Sequence, residues 1–170
     1  DHGVLNEPLA VDIPIVSIDF AEMLRKEGLK VIDGFPSLNR TRAVKTKDEI
    51  QCLRMSMTIC EEIFYEIQKA IRPGTRESDL AAIAAEFAVK RFCDGPVDIV
   101  GCSGENTNPN MLGYSDRPIR PGDMIFVDLP GVRYKGYCSC YYRTFTCGKA
   151  TPRQKEIYDG AVPSGNAVAM

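Results

Sequence analysis

The strongest constraint on the fold is the segment from Thr46 to Ile71, in which apolar residues recur at alternating steps of three and four. This spacing places them on one face of an α-helix, and Thr46 and Glu49 have the spacing of a capping box that would begin it. Arg72-Pro-Gly74 ends the pattern. The sequence therefore predicts one long helix that packs by a single apolar face, formed by Ile50, Leu53, Met57, Cys60, Phe64, Ile67 and Ile71.

The rest of the chain predicts a second helix, three strands and a last helix. Thr75 can cap the second helix, which we expect to end near Cys93. Strands are predicted at residues 97–102, 124–129 and 137–147, and the last helix begins after Thr151. Two helices followed by antiparallel strands, without alternating βαβ units, indicate an α/β fold of the α+β type, in which a layer of helices packs on an antiparallel sheet.

Residues 1–40 are predicted to form a separate, smaller part of the structure. They read as a short strand, a helix capped by Asp19, a second short strand and a turn at residues 33–37. A piece of this size has little core of its own. We therefore interpret residues 1–40 as the carboxyl-terminal remnant of a preceding domain.

Composition excludes several function classes. The net charge is −2, from 21 basic and 23 acidic residues, so no bulk electrostatic attraction predicts nucleic acid or membrane partners. No apolar run approaches the roughly 18 residues of a membrane span. The seven cysteines are scattered, which predicts reduced thiols in a cytoplasmic protein. His2 is the only histidine, so a mechanism that needs an internal histidine cannot be completed by this chain alone.

Asp128 is the first candidate for a functional residue. It lies in the apolar strand 124–129, where alternation places it on the same face as Met124 and Phe126. A buried carboxylate needs a partner or a metal, since burial of an unpaired charge is costly. The alternative is an aspartate at the strand end that caps the turn at Pro130 and Gly131.

Cys140 is the second candidate. In a continuous strand, Cys138, Cys140, Tyr142 and Thr144 would share one face. If this strand pairs with the one that holds Asp128, the Cys140 thiol could face the carboxylate, and both groups are zinc ligands in proteins. The alternative is that both cysteines pack as buried apolar groups.

Several short motifs, taken in their order along the chain, resemble the pita-bread family of creatinase, aminopeptidase P, prolidase and methionine aminopeptidase. They are Arg42 with residues 45–50, then residues 71–77, 103–108 and 115–123, Asp128, Gly136 with Tyr137, and residues 143–145. The resemblance runs from about residue 38 to residue 160. It implies that residues 41–170 are the first half of a pita-bread catalytic domain, and that residues 1–40 end the amino-terminal domain of a creatinase-like protein.

The resemblance also implies a site. The metallopeptidases of this family hold two metals with two aspartates on paired strands and with a histidine and two glutamates from the second half of the domain. Asp128 matches the first aspartate, and Cys140 stands where the second is expected. Asn110 lies in the loop that normally offers a histidine to the substrate, and Arg143 matches a residue near the site. We therefore expect Asp128 and Cys140 as metal ligands, and Asn110 and Arg143 as substrate contacts.

Three functions follow from the resemblance. The first is a hydrolase like the Xaa-Pro aminopeptidases and dipeptidases, with a divalent metal (Zn, Mn or Co) in the full-length protein. The second is a metal-independent, creatinase-like hydrolase or a lyase acting on a small substrate, and the third is a non-catalytic member used for binding or dimerisation. The implied partners are a peptide or small-molecule substrate and a second copy in a homodimer. We expect the isolated chain to be inactive and to bind no metal tightly.

Overall fold

The computed structural model describes residues 7–12, 14–109 and 113–166. Contacts divide the chain into two compact units, one up to Asp48 and the other from Glu49 onward. In the first unit, the parallel strands β1 (Leu9–Val11) and β2 (Val31–Asp33) are connected by helix α1 (Ile18–Lys26). Helix α2 (Phe35–Ala43) follows. Within the described residues no helix has the length and apolar character to span a membrane.

Two details of the first unit differ from the sequence prediction. Ser17, not Asp19, caps α1, because its hydroxyl accepts a hydrogen bond from the Phe20 backbone N–H at 3.2 Å. The turn predicted at residues 33–37 begins helix α2 instead. There the Asp33 carboxylate accepts the Phe35 backbone N–H at 2.9 Å, which satisfies one of the unpaired amides of a helix start.

The second unit contains the predicted helices and an antiparallel sheet. Helices α3 (Lys47–Ala70) and α4 (Glu77–Lys90) confirm the two helices expected from periodicity. Strands β3 (Val100–Ser103), β4 (Met124–Asp128) and β7 (Tyr142–Thr146) form a sheet in the order β3-β4-β7. Strands β5 (Val132–Tyr134) and β6 (Tyr137–Ser139) form a hairpin, and helix α5 (Pro152–Asn166) follows the sheet.

The core lies between α3, α4 and one face of the sheet. Alternation along β4 buries Ile125 and Val127, and Leu129 just after the strand is buried with them. They belong to one cluster with residues of both helices, including Ile59, Cys60, Ile63, Phe64, Ile67, Leu80, Ala81, Ala84 and Ala88. The apolar face predicted for α3 is correct in its second half. It is wrong nearer its start, because Met57 is 52% exposed and Ser56 is buried.

The other face of the sheet carries Asp128. On β4 it presents Met124, Phe126 and Asp128, all half-buried, and on β7 it presents the register partners Tyr142, Thr144 and Thr146. The Phe126 and Tyr142 rings lie 5.3 Å apart on this surface. We call this surface the Asp128 face.

The strand predicted at residues 137–147 is two strands, β6 and β7, separated by Cys140 and Tyr141. The chain changes partners there, since β6 pairs with β5 whereas β7 pairs with β4. Two backbone hydrogen bonds fix the change of direction, from Gly131 N–H to the Ser139 carbonyl at 3.2 Å and from Leu129 N–H to the Tyr141 carbonyl at 3.3 Å. Cys140 therefore lies in a corner next to the end of β4.

Candidate metal and substrate site

Asp128 is the last residue of β4 and is half-buried on the Asp128 face. Val100 pairs with it on one side and Tyr142 on the other. Burial raises the pKa of the Asp128 carboxyl, and a hydrogen bond from the Leu129 backbone opposes that rise. The protein surroundings therefore do little to stabilise the charged form of Asp128, as expected of a carboxylate that a bound cation would stabilise.

Cys140 lies beside this carboxylate, as the sequence predicted. Its Sγ is 4.0 Å from Asp128 Oδ1, across the corner between β6 and β7. Desolvation raises the pKa of the Cys140 thiol, and the negative charge of Asp128 raises it further. Both Cys138 and Cys140 are exposed, so the alternative that these two cysteines are buried packing groups is wrong.

The pair can supply part of a metal site. Two ligands of one tetrahedral zinc, with bonds of about 2.3 Å to sulfur and about 2.0 Å to oxygen, lie roughly 3.5 Å apart. The observed 4.0 Å between Sγ and Oδ1 is close to that separation. No cluster of three or more His, Cys, Asp and Glu residues that could hold a metal occurs in the described part of the chain. Asp128 and Cys140 therefore fit as two ligands of one ion, and they do not make a complete set.

Arg143 lies on the opposite face of the sheet from Asp128. It pairs in register with the buried Val127, and its guanidinium forms an ion pair with Glu61 on α3. The guanidinium also lies over the rings of Phe64, at 5.5 Å, and Tyr141, at 5.7 Å. In this arrangement Arg143 fastens β7 to α3, next to the corner that holds Cys140. The other predicted substrate contact, Asn110, lies outside the described residues.

A buried carboxylate that the sequence analysis did not single out lies at the start of α4. Glu77 is only 1% exposed. Its Oε1 accepts the Ser103 backbone N–H at 2.6 Å and the Ser103 hydroxyl at 2.8 Å, and its Oε2 accepts the Ser115 N–H at 3.0 Å and the Ser115 hydroxyl at 2.6 Å. Asn106 donates to both oxygens. Burial raises the pKa of Glu77, but these hydrogen bonds outweigh it and leave the pKa below its usual value.

Arg117 extends this network toward the solvent. Its guanidinium donates to the Ser103 hydroxyl at 2.7 Å, to Asp123 at 2.6 Å and to Glu105 at 2.7 Å. Arg117 lowers the pKa of Glu105 to about 2. Gly104 has φ +52°, a left-handed conformation that favours glycine, and a Cβ there would press against the guanidinium of Arg117. The sequence marked residues 103–108 and 115–123 as motifs, but it gave no sign that they bind each other through Glu77.

A cavity of about 360 Å³ lies between the sheet and α5. It is lined by Met124, Thr146, Gln154 and Tyr158, among others. Met124 begins β4 and Asp128 ends it, so this cavity is at the other end of the strand from the Asp128–Cys140 pair.

Known proteins are similar to this chain in sequence. Probable dipeptidase PepE of Mycobacterium tuberculosis is 34% identical over 113 residues, which are 66% of this chain and 30% of that protein. The human Xaa-Pro dipeptidase is 29% identical over 144 residues, 78% of this chain and 28% of that protein. The chain thus spans about a third or less of the length of these two relatives.

A solved structure shows the same fold. The X-Pro aminopeptidase from Thermotoga maritima MSB8 superposes with a TM-score of 0.80 at 27% identity, covering 89% of this chain and 43% of that one. The predicted pita-bread fold is therefore confirmed for the part that this chain spans. The sequence model of metallopeptidase family M24 matches residues 51–168, more than half of the 170 residues. The chain belongs to metallopeptidase family M24.

Proposed function

We propose that the full-length protein hydrolyses peptides at Xaa-Pro bonds with the help of a divalent metal. One observation carries the proposal: a carboxylate at the end of β4 and a thiol in the corner between β6 and β7 meet, with 4.0 Å between Asp128 Oδ1 and Cys140 Sγ, on a sheet face whose β4 residues lie outside the core cluster of the described residues. The names of the similar proteins, an Xaa-Pro dipeptidase and an X-Pro aminopeptidase, support the substrate class.

Asp128 and Cys140 would hold the metal together with ligands from the rest of the protein. A bound divalent ion supplies a Lewis acid for the scissile carbonyl and an activated water for its hydrolysis. The donor set favours zinc among Zn, Mn and Co, because a thiolate is a soft ligand and manganese prefers oxygen. The isolated 170-residue chain offers two ligands, so we expect it to bind no metal tightly and to be inactive.

The chain's other residues would position the ligands and the substrate. The ion pair of Arg143 with Glu61 fixes β7 beside the corner, and the hydrogen bond between Leu129 and Tyr141 fixes the corner against β4. Both contacts hold Cys140 next to Asp128. The loop from Ser103 to Ser115, including Asn110, would line the substrate pocket.

The test is cleavage of Xaa-Pro dipeptides and tripeptides by the full-length protein, before and after removal of metal with a chelator. Asp128→Asn should lower kcat/KM by at least about a hundredfold, since the loss of metal stabilisation costs several kcal/mol of barrier. Asp116→Asn is the matched control, because Asp116 is exposed, and it should leave kcat/KM within about twofold. Cleavage that is indifferent to both the chelator and Asp128→Asn would contradict the proposal.

A second candidate is the metal-independent, creatinase-like hydrolase or lyase. Two replacements favour it: Cys140 stands where the resemblance places the second metal-binding aspartate, and Asn110 lies in the loop where it places a histidine that contacts the substrate. If the protein still turns over a small substrate after a chelator has removed metal, the result would favour this candidate. The absence of any turnover would leave the third reading, a member used for binding.

The partners and the location are proposals of the same kind. The family resemblance supports a homodimer of the full-length protein. The free cysteines of the described residues support a reducing, cytoplasmic location.

A further inference from the structure

Glu77 is a buried charge, and the groups that donate hydrogen bonds to it within the described residues are all neutral. They belong to Ser103, Asn106 and Ser115, and the guanidinium of Arg117 is linked to Glu77 through the Ser103 hydroxyl. A buried carboxylate that loses its donors incurs a large desolvation cost. The negative charge of Glu77 therefore holds Ser103, Asn106 and Ser115 in place.

These donors come from both ends of one loop. Ser103 begins the outgoing arm (residues 103–109), which also carries Asn106, and Ser115 ends the return arm (residues 113–115). Oε1 of Glu77 binds Ser103 and Oε2 binds Ser115, so one carboxylate ties the two arms together. Arg117 adds a contact to the outgoing arm through Glu105.

The return arm borders the Asp128 face. Gly101 N–H donates to the Gly113 carbonyl at 2.8 Å, which places the arm beside β3. The Cys102 thiol, which is on the Asp128 face because Cys102 pairs with Phe126, lies 3.8 Å from the same carbonyl. The arm is thus two strand spacings, about 10 Å, from β4. An extended peptide advances roughly 3.3 Å per residue, so a peptide with its first carbonyl near Asp128 has advanced about 7 Å at its third residue. The side chain of that residue can span the remaining distance to the arm.

We propose that Glu77 is a positioning residue, which fixes the two described arms of the loop as a wall for substrate residues beyond the scissile bond. This inference rests on the proposed peptidase function. It assigns Glu77 no contact with the reacting atoms. Because the wall binds substrate and transition state alike, its loss should raise KM and leave kcat nearly unchanged.

The experiment compares Glu77→Gln with wild type in the full-length protein. The Gln amide places an N–H donor against the donors of Ser103 or Ser115, so one arm is released. We expect amide hydrogen exchange at Ser103 and Ser115 to accelerate at least about tenfold, while Ile63 and Ile67 in α3 stay protected. KM for an Xaa-Pro tripeptide should rise at least about tenfold, KM for the dipeptide less, and kcat should stay within about twofold.

Two further variants make the result decisive. Glu86→Gln is the control on the same helix, because Glu86 is exposed and forms an ion pair with Lys90 on the surface of that helix. This variant should change neither the exchange nor KM. Ser115→Ala removes one donor and leaves the carboxylate its other partners, so it should produce a smaller shift of the same kind if Glu77→Gln does not fold.

The outcomes separate this inference from the proposed function. Unchanged exchange at Ser103 and Ser115 would overturn the anchoring role, whether or not the protein cleaves peptides. Faster exchange with an unchanged tripeptide KM, or a fall in kcat with KM unchanged, would overturn the substrate wall. A wild-type protein that cleaves no Xaa-Pro peptide would refute the proposed function and the substrate wall with it, while exchange would still decide the anchoring.

Discussion

At the scale of single residues, the chain contains two carboxylates whose surroundings push their pKa values in opposite directions. Asp128 has few donors, and burial raises its pKa. Glu77 is almost fully buried, yet the hydrogen bonds of Ser103, Ser115 and Asn106 lower its pKa. The first is expected of a carboxylate that binds a cation, and the second of one that holds a structure together.

The lowered pKa of Glu77 predicts an acid-sensitive contribution to stability. A carboxyl whose pKa is lower in the folded state stabilises that state above the unfolded pKa, and this contribution is lost as pH falls through the folded pKa. The free energy of unfolding of wild type should therefore drop faster below about pH 4.5 than that of Glu77→Gln. Denaturant titrations of both proteins between neutral pH and about pH 3 measure this difference.

Glu105, whose pKa Arg117 lowers to about 2, titrates in an overlapping range but is present in both proteins. Only the difference between the two proteins reports on Glu77. Parallel pH profiles for wild type and Glu77→Gln would contradict the assignment of a lowered pKa to this carboxyl.

At the scale of elements, a buried serine connects α3 with the β5–β6 hairpin. Ser56 donates to the Val132 carbonyl at 2.7 Å, and its Oγ lies 2.6 Å from the Ser139 hydroxyl. The hairpin turns through Lys135 and Gly136, both at positive φ, as a two-residue turn of type I′ requires. The contact holds the hairpin on the helix, directly before the corner that carries Cys140.

Ser56→Ala should therefore lower the free energy of unfolding by about 1–3 kcal/mol, because the Val132 carbonyl and the Ser139 hydroxyl lose a buried partner. Thr58→Ala on the exposed side of the same helix is the control and should change it by no more than about 0.5 kcal/mol. Equal effects of the two substitutions in denaturant melts would show that the buried hydrogen bonds contribute nothing.

Local signals in the sequence predicted the elements that depend on neighbours along the chain. Helix α5, for example, begins directly after Thr151 as expected, and Thr151 and Gln154 exchange hydrogen bonds at its start. The predictions failed where a distant partner decides the structure. The strand predicted at residues 137–147 breaks at Cys140 because its first part pairs with β5 and its second part pairs with β4. Ser56 is buried on α3 because its hydroxyl donates a hydrogen bond to the hairpin.

The candidate site shows the same division. The meeting of Asp128 and Cys140 was expected from a continuous strand, but the corner between β6 and β7 brings the two side chains together. Glu77 ends the motif at residues 71–77, but its anchoring contacts could not be found this way, because its partners lie 26 to 38 residues away. Asp79, two residues later, does act locally and accepts the Arg76 backbone N–H.

At the scale of the whole molecule, the chain is a member of family M24 that spans less than half the length of the relatives described above. Its sheet presents one face to the helices and leaves the other for Asp128 and Cys140. The central claim is that this pair forms part of a metal centre in the full-length protein, with the thiol as a ligand.

Loading the full-length protein with Co²⁺ tests this claim most directly, since a thiolate bound to cobalt gives a charge-transfer absorption band in the near ultraviolet. We predict that the band appears in wild type, is lost in Cys140→Ser and persists in Cys138→Ser, whose exposed thiol lies two residues away. A band that survives Cys140→Ser, or bound cobalt without such a band, would contradict the claim.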